Sequence, residues 1–173
     1  MSEPKKRSFL PEKLPERPEI RGIDPRRVVD LLVGALADEF LAYHQYVLTA
    51  YALKGHVSEE LAEVFKKIAE DELNDHFHKL AQRLQDFDVD IPDFRDLWSL
   101  SRCKQPELPD NPYDVDAWLK AGIEAEECAI RYYREIYGEV KDRDPVTEEI
   151  VEDILADEVE HHTLFKNLLS GKA

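Results

Sequence analysis

The chain is short of cysteine, of long apolar runs and of positive charge, and each shortage removes a class of protein. Its two cysteines, Cys103 and Cys128, stand 25 residues apart. That is too few for a disulfide framework, and the spacing is not the Cys-x-x-Cys of a zinc or rubredoxin site. No apolar run approaches the roughly 20 residues that span a bilayer. The opening segment MSEPKKRSFLPEKLPERPEIRG lacks the apolar region of a signal peptide, so a cytoplasmic protein without membrane contact is expected. Lys and Arg number 23 against 38 Asp and Glu, a net charge of −15. That balance argues against nucleic-acid binding by the body of the protein and sets up a potential that collects cations. Solubility, or a saline or hot habitat, accounts for the same acidity. Hydrophobic residues make up 43% of 173, enough for one domain with a real core.

Residues 1–23 read as an extended arm: four prolines, no periodic apolar face, and six basic against four acidic residues. The arm is expected to be a solvated tail or a strap on a neighbouring subunit. Residues 24–173 carry four long patterns of period near 3.6, and no stretch alternates as a strand does. The first pattern opens at Asp24-Pro25, a cap followed by proline. Its stripe is Val28, Leu32, Leu36, Phe40, Tyr43 and Val47, and it ends near Lys54-Gly55. The second runs from Ser58 through Leu61, Phe65, Ile68, Leu80 and Leu84 to about Phe87. The third opens at Asn111-Pro112 and ends near Gly138. The fourth opens at Asp144-Pro145 and reaches Gly171, with Leu155, Leu164, Phe165, Leu168 and Leu169 expected inside. Short links make each pair a hairpin. The segment between pairs, about 88–111, is longer and holds an apolar cluster at Phe94, Leu97, Trp98 and Leu100 that suits a short helix. The expected fold is all-α, a four-helix bundle with one long crossover, the ferritin-like arrangement.

The halves repeat. EFLAYHQY and EECAIRYY both read Glu-x-x-Ala-x-x-x-Tyr, from Glu39 to Tyr46 and from Glu126 to Tyr133. DELNDH, from Asp71, pairs with DEVEHH, from Asp157. Counted from the expected caps, Glu39 and Glu126 lie 15 residues in, and Glu72 and Glu158 lie 14. At 1.5 Å per residue all four reach roughly 20 Å into their helices, near mid-bundle. All four also fall on the apolar stripes. Isolated carboxylates there would cost several kcal/mol each, and four at one level would repel one another. A pair of divalent metals removes both objections, and carboxylate oxygen with one imidazole per metal suits iron or manganese. A lone glutamate on such a stripe is ordinarily a boundary residue that reaches solvent. Four at matching depth, with the two repeats and Glu158-x-x-His161, outweigh that reading. In the second pattern the same register gives Glu72 and Asp75, and His76 comes one residue later. Positions i+3 and i+4 share a face, so either side chain serves, with His76 preferred by ligand type. His44 and His78 read as surface residues.

These motifs resemble the ferritin-like di-iron superfamily. Glu39-x-x-Ala42-x-x-Gln45-Tyr46 is similar to the first-helix motif of bacterioferritins. Glu158-x-x-His161-x-x-x-Phe165 is similar to the fourth-helix motif of bacterioferritins and rubrerythrins. Over about residues 25–170 the chain looks most like the Dps-like ferritins, or thioferritins. The resemblance implies two iron ions per subunit, with manganese or zinc possible in a purified form and no organic cofactor. Glu72 and Glu158 would bridge them, Glu39 and His76 completing one ion, Glu126 and His161 the other. It implies a homo-oligomeric, dodecameric cage that oxidises Fe(II) with hydrogen peroxide, or O2, and stores the mineral. It also implies that Cys103, in the crossover, and Cys128, in the third helix, form a redox-active or structural pair. Two buried inert thiols are the reading from composition. Tyr46 and Tyr133 are expected beside the glutamates, packed with a hydroxyl on a carboxylate or taking part in redox chemistry. Competing functions are a rubrerythrin-like peroxidase without storage and a DNA-protecting protein that uses the arm.

Overall fold

The computed structural model describes residues 9–171. Among these residues six α-helices follow in order: α1 (Pro25–Ala52), α2 (Ser58–Asp71), α3 (His78–Asp86), α4 (Phe94–Leu100), α5 (Val115–Val140) and α6 (Pro145–Leu169). A π-helical turn, Glu72–Phe77, joins α2 to α3 and makes them one interrupted rod. Among the described residues there is no strand, and no helix is long and apolar enough to cross a membrane. The rod packs on α1, and α5 packs on α6. The short helix α4 of the crossover lies against α1.

Local chemistry sets the helix ends. Asp24 accepts from the Arg26 N–H at 2.9 Å with Pro25 behind it, which starts α1. The turn after α1 places Gly55 at φ 113°, a conformation open to glycine and strained for other residues. Asp144 opens α6 by accepting from the Thr147 N–H. The third helix starts later than its sequence suggests. Asn111 caps nothing helical; its side chain accepts from the Tyr113 N–H in a turn, and Asp114 accepts from the Ala117 N–H to start α5. Asn111-Pro112 and Asp114-Val115 offer similar local signals, and the bond from the Trp118 indole to the Asn111 carbonyl selects the second. Glu126 therefore lies 12 residues from its true cap.

The bundle holds two apolar cores. One joins Leu32, Leu36, Leu84, Phe87, Ile136 and Ile154; the other joins Tyr46, Phe65, Ile68, Trp118, Leu119 and Phe165. Of the C-terminal residues expected inside, Phe165 is fully buried, Leu155, Leu168 and Leu169 are half-buried, and Leu164 is exposed. Leu164 lies on the outer face of α6, beyond the reach of the hairpin partner.

Over residues 9–23 the arm is not the solvated tail that its composition suggests. Residues 1–8 lie outside the described residues, but 9–23 run along their own bundle. Phe9, Leu14, Ile20 and Ile23 pack on the first core. Phe9 O accepts from the Asp90 N–H, Arg17 donates to Asp86 O, and the Arg21 N–H donates to Arg143 O. Beneath the arm lies Arg83, fully buried. It donates to both oxygens of Asp144 at 2.9 and 3.0 Å, to Thr147 and to Asp86, and reaches Glu19 of the arm at 3.3 Å. One guanidinium thus ties the arm, the end of α3 and the start of α6. Asp144→Ala removes a cap and leaves that charge poorly matched, so urea unfolding of the metal-free protein is expected to show a loss of about 3–5 kcal/mol. A loss below about 1 kcal/mol would show that the pair does not anchor α6.

Candidate metal centre

Between the two cores the four helices bring six polar side chains together: Glu39 from α1, Glu72 and His76 from the π turn, Glu126 from α5, and Glu158 and His161 from α6. All are buried. Ligand-capable atoms of Glu39, Glu72, His76 and Glu158 lie within 4.8 Å of one another, and so do those of Glu72, Glu126, Glu158 and His161. Glu72 and Glu158 belong to both sets. His76 Nδ1 is 3.3 Å from Glu39 Oε2, 3.3 Å from Glu72 Oε2 and 3.4 Å from Glu158 Oε1. His161 Nδ1 is 3.5 Å from Glu72 Oε1.

The π turn decides which neighbour of Glu72 joins this group. Its wider winding takes one extra residue per turn. His76, four after Glu72, therefore occupies the position that His161, three after Glu158, takes in a regular helix. The repeat offset records the insertion: 86 between Glu72 and Glu158, 85 between His76 and His161. Asp75 is carried to the outside. Its carboxylate accepts from Lys79 at 2.5 Å, and among the described residues it shares ligand geometry only with the outer edge of His76 and Asp157.

Each imidazole turns its other nitrogen to an aspartate of the opposite hairpin. His76 Nε2 lies 3.3 Å from Asp157, and His161 Nε2 lies 3.4 Å from Asp71. Such contacts fix the ring orientation and tautomer. The tyrosines cross as well. Tyr46 donates to Glu126 Oε1, and Tyr133 donates to Glu39 Oε1, each across the bundle from its own helix. Tyr133 thereby leaves Glu39 Oε2 turned toward His76. Asp71 and Asp157 escape a reading that stops at Glu and His, although the repeated Asp-Glu pair is visible in DELNDH and DEVEHH. His44 and His78 are exposed, and His162 is half-buried against Glu127.

Burial makes these carboxylates reluctant anions. It pushes Glu72 and Glu126 well above the usual range, aided by the charges of Glu39 and Glu158 respectively. Burial, with Glu72 and Glu39 beside it, lifts Glu158 to about 8. Burial opposes the charged form of Glu39 too, but hydrogen bonds with Glu72 and His76 outweigh it and hold this carboxyl low. His76 is raised because its contacts with Glu158, Glu39 and Glu72 overcome the cost of burying an imidazolium. Buried atoms without a hydrogen-bond partner include Glu72 Oε1, both oxygens of Glu158 and His161 Nδ1. They are the atoms aimed into the middle of the cluster, and a hard or borderline divalent cation suits that donor set.

The disulfide of Cys103 and Cys128, with Cα atoms 5.7 Å apart, joins the crossover to α5 beside this cluster. Closing a loop of that length stabilises by about 3 kcal/mol. Asp38, next to Glu39 and not singled out by the sequence, clamps the crossover. One buried oxygen accepts from Ser101 Oγ at 2.5 Å and from the Arg102 and Cys103 N–H groups at 3.0 Å. Burial, against those bonds, lifts its carboxyl to about 6. Cys103, Asp38 and Gln105 thus border a small cavity that also touches Glu39, Glu126 and Glu158.

A four-helix bundle with a long crossover and a carboxylate–imidazole cluster at mid-bundle is the architecture of ferritin-like di-metal proteins. Residues 29–171 match the ferritin-like domain, and the chain belongs to that family. It is 34% identical over 167 residues to the DNA protection during starvation protein of Pyrococcus furiosus, covering 94% of this chain and 88% of that one. It superimposes on the dodecameric thioferritin of Bacteroides fragilis, a bacterioferritin-related protein, with a TM-score of 0.80 and 30% identity over 86% of this chain and 88% of the other. Against the Desulfovibrio desulfuricans bacterioferritin, whose diiron site is described, the TM-score is 0.70 with 26% identity over 84% and 79%.

Two outcomes follow. Glu158 rises from an unfolded value of 4.5 to about 8, so its contribution to stability is full below 4.5 and gone above 8. The raised His76 acts in the same direction, its share being full below 6.5 and fading at higher pH. The lowered Glu39 acts in the opposite direction, only below its unfolded 4.5. Scanning calorimetry of metal-free protein should therefore show Tm falling from about pH 5 to pH 8, with the rise on adding Mn(II) larger at pH 8 than at pH 6. A flat profile would contradict the buried-charge account. Deleting Asn74 should close the π turn into regular helix and leave His76 with the glutamates. Mass spectrometry under native conditions should then find the wild-type number of ions per subunit, and none would refute the insertion reading.

Proposed function

We propose that this protein is a ferroxidase and iron store that oxidises Fe(II) with hydrogen peroxide, or O2, at the mid-bundle cluster. The observation that carries the reading is the set of buried, unpartnered ligand atoms on Glu72, Glu158 and His161. Glu39, Glu72, His76 and Glu158 would hold one ion, and Glu126, Glu72, Glu158 and His161 the other. Two adjacent Fe(II) ions supply one electron each. Peroxide accepts both, takes up two protons and becomes two waters, so no hydroxyl radical leaves the site.

The protein's own groups set the conditions for that reaction. Tyr46 and Tyr133 hold the outer carboxylates in place, and Asp71 and Asp157 hold the imidazoles. The two apolar cores exclude water above and below. The low-lying Glu39 carboxyl is ready as an anion, whereas Glu72, Glu126 and Glu158 release protons as the cations enter. The dodecameric assembly named for the Bacteroides fragilis relative supports a cage of that size here, with an acidic chain to attract iron and nucleate oxide. Cys103 and Cys128 act as a redox pair beside the cluster. A DNA-coating role gains no support from the described part of the arm, where Arg17 is occupied by Glu19 and Asp86.

The test is anaerobic loading with Fe(II), addition of peroxide or O2, and ferric absorbance followed together with particle mass. Glu126→Ala and Glu158→Ala are expected to fall to the rate of free Fe(II). A wild-type rate in both would refute the buried site. A dimer that turns over peroxide and accumulates no mineral would establish a peroxidase in place of a store.

A further inference from the structure

The disulfide has a second side. Away from the metal cluster, both of its sulfur-bearing residues line an open cavity of about 290 Å³ between α1, α5 and the crossover. Three arginines, Arg27, Arg102 and Arg131, border it against one carboxylate, Glu135. In a chain of net charge −15, three guanidinium groups gathered at one cavity run against the composition, although Arg27 and Arg102 are already paired with carboxylates.

The wall is built rather than incidental. Arg102 lies across Gly34 of α1, where an added Cβ would meet its Cγ and Nε at 2.9 Å and the Tyr132 hydroxyl at 2.6 Å. A glycine inside a helix costs about 1 kcal/mol relative to alanine, and here it makes room for both side chains. Tyr132 donates to Leu31 O at 2.9 Å, and Arg102 is steadied by Asp30 at 2.9 Å. Arg27 is shared among Asp30, Glu135 and Glu139. Arg131 is exposed and makes no ion pair with any described residue, so its charge is available to a ligand.

The geometry points to a docking site for a small carboxylate-bearing thiol that reduces Cys103–Cys128 from outside. The inference rests on the redox pair of the proposed function. The Arg131 guanidinium draws in the anion and stabilises both the attacking and the departing thiolate. One thiolate attacks a cysteine sulfur, the Cys103–Cys128 bond breaks, and the other cysteine leaves as a thiolate that takes a proton from water. A second thiolate attacks the mixed disulfide, giving the oxidised small molecule and the second free cysteine. Two electrons pass from two thiols to the pair. Cys103 borders the inner cavity as well, so reducing equivalents delivered at the arginines reach a sulfur beside the metal cluster.

The experiment uses the full-length, peroxide-oxidised protein in its native assembly. Mercaptoacetate, 2-mercaptoethanol and cysteamine are compared at equal thiolate concentration, each rate divided by that thiol's rate with a neutral model disulfide. Trapping by alkylation and mass spectrometry reads the loss of the Cys103–Cys128 bond. The anionic thiol should outpace the neutral one about tenfold, and the neutral should outpace the cationic, a preference of the size electrostatic steering gives. Arg131→Gln should collapse the preference without slowing the neutral thiol, Arg131→Lys should restore it, and high salt should erase it. The net charge alone would favour the cationic thiol. A wild-type order of that kind, or a preference untouched in R131Q, overturns the inference. If both thiols stay alkylatable after peroxide, the redox pair itself fails and this inference falls with it. If the disulfide forms but shows no charge preference, only the docking site fails.

Discussion

Four carboxylates held at one depth in an apolar bundle set the terms for everything else in this molecule. Buried anions at that spacing repel one another and lose their hydration, and no amount of surrounding leucine compensates. The chain answers by dividing its core. One apolar cluster packs between the arm and mid-bundle, the other between mid-bundle and the α1–α2 turn. Neither passes through the polar layer. Within that layer the two outer carboxylates and both imidazoles are braced from the opposite hairpin: Tyr46 on Glu126, Tyr133 on Glu39, Asp71 on His161, Asp157 on His76. Without cations, protons take their place, which is why Glu158 and His76 rise together while Glu39 stays low.

The crossover makes the cluster more than a cation trap. Asp38 sits one residue before Glu39 and holds the backbone at Cys103, so the first helix places a ligand-capable carboxylate and a disulfide with adjacent side chains. Cys128 is two residues after Glu126 and does the same for α5. The disulfide therefore lies between two cavities, one lined by glutamates and one by arginines. On the redox role proposed for it, a disulfide between these two cavities is well placed to connect them.

Much of this is legible in the sequence, for physical reasons. The depth of Glu39, Glu72 and Glu158 follows from helix rise and stripe phase, which depend on local backbone geometry alone, whereas a count from Asn111 places Glu126 three residues too deep. Asp24-Pro25 and Asp144-Pro145 mark helix starts because caps act within three residues. The choice between Asp75 and His76 is legible only as a preference of ligand type and not from the helix register. A π turn forms when packing on both sides of an inserted residue outweighs the poorer local hydrogen bonding, and no local pattern reveals that balance. The start of α5 goes wrong at Asn111 because Asn111 and Asp114 offer similar caps, and the Asn111 carbonyl is engaged by the Trp118 indole seven residues on. The folding of residues 9–23 onto their own bundle depends on Arg83 and Asp86, some 60 to 70 residues away. The arginine pocket gathers positions 27, 102 and 131 from three elements, each unremarkable in its own segment.

The sharing of Glu72 and Glu158 between two ligand sets is the centre of the account, and ion stoichiometry in variants tests it most directly. Anaerobic Fe(II) titration with native mass detection should find two ions per subunit in the wild type. Glu39→Ala should retain one, and Glu158→Ala should retain neither at the same free iron concentration. Two ions retained in Glu158→Ala, or a single ion in the wild type, would contradict a cluster built around two shared carboxylates.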